Sequence, residues 1–206
     1  MVRLRVLLSM SLLCLSLAAV DTAAQAVNLL QNPEADLGDQ HWRAWGEASV
    51  EDVDGNRVFV LREKGSFYQD VVLPEGSGRM YALLIGRGSS ERVNPDGAIT
   101  GLPYLYGYML PAGGVRAVNP GAGYGGRVLE YLQGQDMLCS AKRAGAWVVM
   151  SGIFWVPEEA GGIRFFLNQA ERRGVPQNGS AARFDDLGLY LFPTAQEARA
   201  FVAQYD

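Results

Sequence analysis

The stretches NLLQNP (residues 28–33) and FDDLGLYL (residues 184–191) lie near the two ends of this 206-residue chain, and most of the segments between them are strand-like. Residues 66–73 alternate polar and apolar side chains, as half-buried strands do. The full set of strand-like segments is 57–61, 66–73, 80–86, 102–110, 147–156, 163–168 and 184–192. Seven short strands separated by turn residues predict an all-β antiparallel sandwich or barrel.

The first 26 residues have the pattern of a secretory signal peptide. Arg3 and Arg5 form a basic start, residues 6–20 are almost all apolar, and Ala24-Gln25-Ala26 is a small-x-small cleavage site. No other stretch reaches the ~20 apolar residues that a membrane-spanning helix needs. We therefore expect a mature protein from about Val27, secreted or periplasmic, from a bacterial source and without a membrane span.

The net charge and the cysteine count limit which molecules this chain can bind and which disulfides it can form. The formal net charge is −4, which gives no basic footprint for nucleic acid. Cys14 lies in the signal peptide, so Cys139 has no partner for an intrachain disulfide. That leaves two alternatives for Cys139: burial in the core, or pairing with another chain.

Residues 111–146 interrupt the regular spacing of the strands. This segment is rich in glycine, and residues 127–133 within it have the composition of one or two helical turns. A connection of this length is typically functional or disordered. The segment is either a flap over a binding site or a tolerated insertion.

The last residues, 194–206, predict a short helix. Thr194 and Glu197 have the spacing of a capping box, and Ala198, Phe201 and Val202 recur on one face. We expect this helix to pack on the sandwich as a structural element.

The two end stretches, together with Gly38 and Trp42, resemble the opening and closing strands of the galactose-binding-like β-sandwich, the jelly roll of many carbohydrate-binding modules. Residues 65–74 and 155–167 resemble the same family, so the resemblance covers nearly all of residues 27–193 apart from segment 111–146. A more distant similarity links the chain to the sugar-binding domain of glycoprotein-specific F-box proteins. The resemblance implies a jelly-roll domain that binds a glycan rather than catalyses.

The same resemblance implies a structural calcium ion between the opening segment and the last strand. The positions that correspond to the usual ligands are Asp36 and Asp185. Calcium binds several carboxylate and carbonyl oxygens, so two converging acids would form part of such a site. The alternative is that both carboxylates accept hydrogen bonds from loop amides.

Three tyrosines alternate along one predicted strand. Tyr104, Tyr106 and Tyr108 point to one face of the sheet, whereas Leu105 and Met109 point to the other. Aromatic rings provide flat apolar surface at low entropic cost, and the apolar faces of sugar rings can stack on such a surface. We predict that these tyrosines contact a glycan; the alternative is that they pack beneath the long segment.

The tryptophans divide into two pairs. Trp42 and Trp45 lie in an early loop, and we expect Trp42 in the core and Trp45 exposed as a ligand-stacking residue. Trp147 and Trp155 lie in a segment that is apolar on both faces, and we expect both in the core.

Motifs for catalysis are lacking. His41 is the single histidine, and it has no nucleophile motif around it. The chain contains no zinc-protease, paired Cys-x-x-Cys or phosphate-loop motif. Two carboxylates suffice for glycosidase chemistry, but no pair is singled out.

These observations predict an exported, non-catalytic binding protein with a carbohydrate ligand. The alternative is a structural or protein-interaction module that binds a protein of the bacterial envelope or surface. A small glycan-active enzyme is the third reading.

Overall fold

The computed structural model describes residues 26–92, 101–114, 128–140, 142–170 and 180–205. Nearly all of the expected signal peptide, residues 1–25, lies outside this description. Among the described residues, no helix is both long and apolar enough to cross a bilayer. These residues form eight strands, a 3₁₀ turn and one helix: β1 Arg43–Val53, β2 Asn56–Val72, β3 Tyr81–Ser90, β4 Pro103–Pro111, β5 Glu130–Leu132, the 3₁₀ turn Gln135–Met137, β6 Val148–Trp155, β7 Ala160–Gln169, β8 Ala182–Phe192 and α1 Ala195–Val202.

The strands form an antiparallel β-sandwich whose two layers share one long strand. The strand order is β5-β4-β7-β2-β8-β3-β6, and β1 also pairs with β2. The first half of β2 pairs with β8 and the second half pairs with β7. The two layers pack face to face, with Gly107 of β4 close to the Leu84 side chain of β3. A Cβ added at Gly107 would lie 3.3 Å from that side chain.

A bend in β2 makes this sharing possible. Trp45 of β1 pairs with Ser66 and Glu47 pairs with Arg62, so one residue of β1 faces three residues of β2. Such a bulge bends a strand and increases its twist. A Cβ on Gly65 would lie 2.2 Å from the Glu47 carbonyl oxygen, so this position accepts only glycine without rearrangement.

Aromatic rings fill the space between the layers. Trp42 contacts Phe59 and Phe165 with ring centroids 5.0 and 6.1 Å away, and Phe59 contacts Phe67 at 5.1 Å. All four side chains are buried. Trp42 is thus in the core, as expected, where its indole Nε1 donates a hydrogen bond to the Asn32 carbonyl at 3.1 Å.

Cys139 is fully buried against β3. Its thiol donates to the Gly88 carbonyl at 3.5 Å, and it forms no disulfide. The first of the two alternatives for this cysteine is therefore confirmed.

Asn28 connects the two end stretches that the sequence singled out. Its Nδ2 donates to the Leu187 carbonyl at 2.8 Å, and its Oδ1 accepts from the Leu189 amide at 3.1 Å. The Leu29 amide adds a bond to the Leu189 carbonyl at 2.8 Å. The opening segment is thereby held along β8 by both side-chain and backbone bonds.

The C-terminal helix begins with the expected capping box. Thr194 accepts from the Glu197 amide, and the Glu197 carboxylate accepts from the Thr194 amide, both at 3.2 Å. Buried Ala198 packs on Leu83, Ile85 and Phe192. The helix covers the outer face of the layer that contains β3, β6 and β8.

Three sequence predictions about elements are wrong. Residues 57–61 and 66–73 are one bent strand, because β1 pairs along both halves of it. Trp45, expected in an early loop, lies in β1, whereas Trp42 comes just before this strand. Residues 127–133 do not form a helix over their described part; Glu130–Leu132 is a strand, because Tyr131 pairs with Tyr108 of β4.

We expect Gly65→Ala to lower the free energy of unfolding by about 1–3 kcal/mol, because the new methyl group must displace the β1 backbone. Urea unfolding of the purified protein measures the change. Gly134→Ala is the matched control, since the closest atom to its Cβ would be 3.9 Å away. Equal unfolding midpoints for the two variants would contradict the steric role of Gly65.

Candidate functional site

The outer face of the other layer is aromatic. On β4, Tyr104, Tyr106 and Tyr108 are half-buried on this face, while Leu105 and Met109 are fully buried on the inner face. Directly opposed residues of antiparallel strands share a face. The cross-strand partners of the tyrosines on β7 are Asn168, Phe166 and Arg164.

The register extends this aromatic face across five strands. Tyr131 of β5 pairs with Tyr108, Phe166 pairs with Tyr68 of β2, and Tyr68 pairs with Arg43 of β1. Adjacent strands lie about 4.8 Å apart, so five strands span about 19 Å. We call this surface the aromatic face and define it by Arg43, Trp45, Tyr68, Tyr104, Tyr106, Tyr108, Tyr131, Arg164, Phe166 and Asn168.

Tyr106 is at the centre of the ring packing. Its ring is nearly parallel to that of Phe166, with centroids 4.5 Å apart and an interplanar angle of 6°. It also packs in parallel on Tyr104 at 5.7 Å, whereas Tyr108 meets it edge to face. Each such pair contributes about 0.5–1.5 kcal/mol beyond area burial, so the rings hold one another in place.

A buried ion pair lies within the aromatic face. Arg164 Nε and Nη2 donate to the two carboxylate oxygens of Asp70 at 2.6 and 2.9 Å. The two side chains are only 5% and 11% exposed. The Arg164 guanidinium also lies 4.7 Å from the ring centre of Tyr68, a cation–π contact. The pair fixes β2 to β7 and adds no net charge to the face.

A groove of about 520 Å³ opens beside the tyrosines. Its volume is in the range of ordinary ligand pockets. The 133–138 segment provides one wall, and the lining residues are Tyr104, Tyr106, Tyr108, Gln133, Leu138, Asn168, Gln169 and Ala170. Burial raises the pKa of the Tyr106 phenol, and the adjacent Tyr108 raises it further. This hydroxyl therefore stays protonated at neutral pH, and it is hydrogen-bonded to the side chains of Tyr108 and Asn168.

Gln169 extends from the core into the lining of this groove. Its Nε2 donates to the carbonyls of Leu61 and Ser180 at 2.7 and 3.2 Å. Its Oε1 is buried and accepts no hydrogen bond from any residue that the structure describes. The sequence analysis did not single out Gln169, Asn168 or Phe166, because only the pairing of β7 with β4 brings them to the tyrosines.

The structure brings Trp45 to the same face as the three tyrosines. Trp45 follows Arg43 by two residues on β1, pairs with Ser66 and is 62% exposed. The expectation that Trp147 and Trp155 lie in the core is wrong, since they are 38% and 46% exposed. They lie at the two ends of β6, which is the last strand in the strand order of the sheet.

The predicted metal ligands are only partly brought together. The carboxylates of Glu34, Asp185 and Asp186 offer one oxygen each, all within 4.8 Å of one another. Asp36 is not in this group; it is exposed, and its carbonyl accepts from Arg57 at 2.8 Å. Asp36 is therefore replaced by Glu34, two residues earlier, whose side chain lies against β8.

This acidic cluster has the donor chemistry that calcium requires. Burial and the carboxylate of Asp186 raise the pKa of Glu34 to about 7, and burial raises that of Asp185. Two contacts partly offset the negative charge of the cluster. Asn56 donates to Asp185 at 2.6 Å, and Arg87 pairs with Asp186 at 3.2 Å. Three carboxylate oxygens could supply part of the six to eight oxygen ligands that a calcium ion takes.

Comparison with protein-family models gives no match, and comparison with curated proteins gives none. Among solved structures, the chain is similar to the CBM22-1 xylan-binding domain of Paenibacillus barcinonensis Xyn10C. The identity is 13% and the TM-score 0.50, with coverage of 82% of this chain and 97% of that domain. It is also similar to the enzymatically active domain of bacteriophage CBA120 tailspike protein 4. There the identity is 12% and the TM-score 0.52, with coverage of 80% of this chain and 21% of the tailspike chain.

This chain thus spans about a fifth of the tailspike chain but nearly all of the xylan-binding domain. At these identities the likeness concerns the fold. The shared fold is an antiparallel β-sandwich like that of the xylan-binding domain.

We expect Asp70→Asn to destabilise the protein by about 3–5 kcal/mol, because it leaves the buried Arg164 charge without its carboxylate. Thermal or urea unfolding measures the loss. Glu158→Gln is the matched control: it breaks the Arg79 pair, whose side chains are 72% and 75% exposed, and should cost at most about 1 kcal/mol. Similar losses for both variants would show that burial of the Arg164–Asp70 pair is unimportant.

Proposed function

We propose that this chain is an exported, non-catalytic protein that binds a glycan across the aromatic face. The observation that carries the proposal is the aromatic face itself, with a groove beside Tyr104, Tyr106 and Tyr108. The xylan-binding domain of similar fold supports carbohydrate as the class of ligand. The basic and apolar pattern of residues 1–26 supports export.

The chemistry of the face matches that of a sugar chain. Exposed Trp45 and the half-buried tyrosines provide apolar surface for the CH groups of pyranose rings. Phenol hydroxyls and the Asn168 and Gln133 amides provide donors and acceptors for sugar hydroxyls. Such a combination of flat rings and spaced polar groups recognises a sugar ring by shape and hydrogen bonding together.

The dimensions of the face favour an oligosaccharide over a single sugar. The aromatic face extends about 19 Å across five strands. A ligand that contacts both Trp45 and Tyr131 must therefore have several sugar rings. β-1,4-Xylan oligosaccharides are the first candidates to test, because the similar domain of Xyn10C is named for xylan binding.

The contacts and locations of the carboxylates support binding without catalysis. Asp70, the carboxylate on the aromatic face, is held by both arms of Arg164. Both oxygens of this carboxylate are bonded to the buried Arg164 guanidinium, so they are not open to a substrate. Glu34 and Asp185 belong to the acidic cluster at β8 and not to the groove.

A protein-binding role is the second candidate, and one observation favours it. Trp155 is 46% exposed and packs edge to face on Tyr81 with ring centroids 5.2 Å apart. This pair lies on the outer face of the α1-bearing layer, where an envelope protein could dock. The burial of Cys139 argues against a variant of this role that uses an intermolecular disulfide.

We expect Trp45→Ala and Tyr104→Ala each to weaken glycan binding by about 1–2 kcal/mol, because each removes a stacking surface. A glycan array with residues 27–206 identifies the ligand, and isothermal titration calorimetry then measures the affinities. Trp155→Ala is the matched control, an exposed tryptophan on the other layer. Loss of binding in Trp155→Ala but not in Trp45→Ala would support the protein-binding face instead, and no binding to any glycan would overturn the proposal.

We also propose that Glu34, Asp185 and Asp186 hold a structural calcium ion. An ion at this position would neutralise the acidic cluster and fix the opening segment to β8. A ligand that binds only the folded state stabilises it, by about 2.7 kcal/mol at one hundred times the dissociation constant.

We therefore expect calcium chloride to raise the melting temperature of the wild-type protein and EDTA to reverse the change. Asp185→Asn should abolish this response, whereas Asp36→Asn should keep it, because Asp36 is outside the cluster. A calcium response lost in Asp36→Asn and kept in Asp185→Asn would contradict the assignment.

A further inference from the structure

Arg43 places a positive charge on the aromatic face. Its guanidinium lies 5.8 Å from the ring centre of Tyr68, its cross-strand partner. The residue is exposed, and Trp45 follows it on the same face of β1. The guanidinium of Arg43 is thus next to the Tyr68 ring on an exposed part of the aromatic face.

Arg43 forms no ion pair within the described part of the chain. The ion pairs there join Arg62 to Glu51, Arg79 to Glu158, Arg87 to Asp186, Arg164 to Asp70 and Arg183 to Glu91. The adjacent bulge contains two exposed carboxylates, Glu47 and Glu63, and one exposed ammonium, Lys64, and none of these is paired with Arg43.

The contrast with Arg164 on the same face is informative. Asp70 satisfies Arg164 with two hydrogen bonds, so that Arg164 has a structural role. Arg43 lacks such a carboxylate among the described residues, in a protein whose formal net charge is −4. A positive group on the ligand face of an acidic protein attracts a negative group of the ligand.

We propose that the glycan carries anionic groups, carboxylates or sulfates, and that Arg43 selects for them. This inference rests on the proposed function, since it names the class of glycan that the aromatic face binds. The planar guanidinium can donate two parallel hydrogen bonds to a carboxylate or sulfate. Trp45 beside it would stack on the ring that bears the anionic group.

Affinity electrophoresis in gels that contain matched polymers tests the proposal. Polygalacturonate and its methyl ester share a backbone and differ in whether the carboxyl group is charged, and carboxymethyl cellulose and hydroxyethyl cellulose are a second pair with a charged and an uncharged substituent. A comparison of dextran sulfate with dextran tests whether sulfate groups on the glycan are recognised. We expect an anionic polymer to bind about fivefold more tightly than its neutral partner, a preference that fades near 1 M salt, where the screening length is about 3 Å.

Three variants test whether Arg43 causes the preference for anionic polymers. Arg43→Met keeps the apolar stem and should remove the anionic preference, while Arg43→Lys should retain part of it. Arg199→Met, an exposed arginine on α1, is the control and should bind like the wild-type protein. Because Arg43 and Arg199 are both exposed, we expect each variant to fold, and the melting temperature checks this.

The outcomes separate this inference from the proposed function. Equal binding to charged and neutral partners overturns the anionic selectivity and leaves glycan binding in place. An anionic preference that survives Arg43→Met overturns the role of Arg43. No binding to any of these polymers, or to any glycan on the array, overturns the proposed function together with this inference.

Discussion

The bend of β2 is the constraint on which the sandwich depends. One strand of seventeen residues belongs to both layers, and it can do so only because it bends at residues 63–65. Glu63 has a φ of 47° and Gly46, opposite on β1, a φ of 66°. The backbones of β1 and β2 approach so closely there that a Cβ on Gly65 would lie 2.2 Å from a carbonyl oxygen. Without the bend, the halves of β2 could not pair with β7 and β8 in separate layers.

Both outer faces of the sandwich follow from this arrangement. α1 covers the layer that contains β3 and β8, where Ala198 and Phe201 pack on Phe192. The described residues place no helix on the other layer, and its outer side chains are aromatic. Those rings are packed against one another, with Tyr106 between Phe166 and Tyr104. A face built in this way is rigid before a ligand arrives, which reduces the entropy lost on binding.

Polar groups near the aromatic face fall into two kinds. Arg164, Asp70 and the Gln169 amide nitrogen are buried and bonded to other parts of the protein, so they fix β7 to its neighbours. Arg43 is exposed and can still donate to a ligand. The same residue types therefore have structural or ligand-facing roles according to burial. An isolated buried charge is unstable, whereas an exposed charge needs no partner.

The sequence alone determined the class of fold, the outward face of Tyr104, Tyr106 and Tyr108, and the capping box of α1. These features depend on local periodicity and on neighbours a few residues apart, which a sequence displays directly. It could not show that residues 57–61 and 66–73 are one strand, that Glu34 rather than Asp36 approaches Asp185, or that Phe166, Tyr68 and Arg43 continue the tyrosine row. Only the tertiary structure decided these points, because cross-strand register joins residues far apart in the chain and a bulge changes which of them meet.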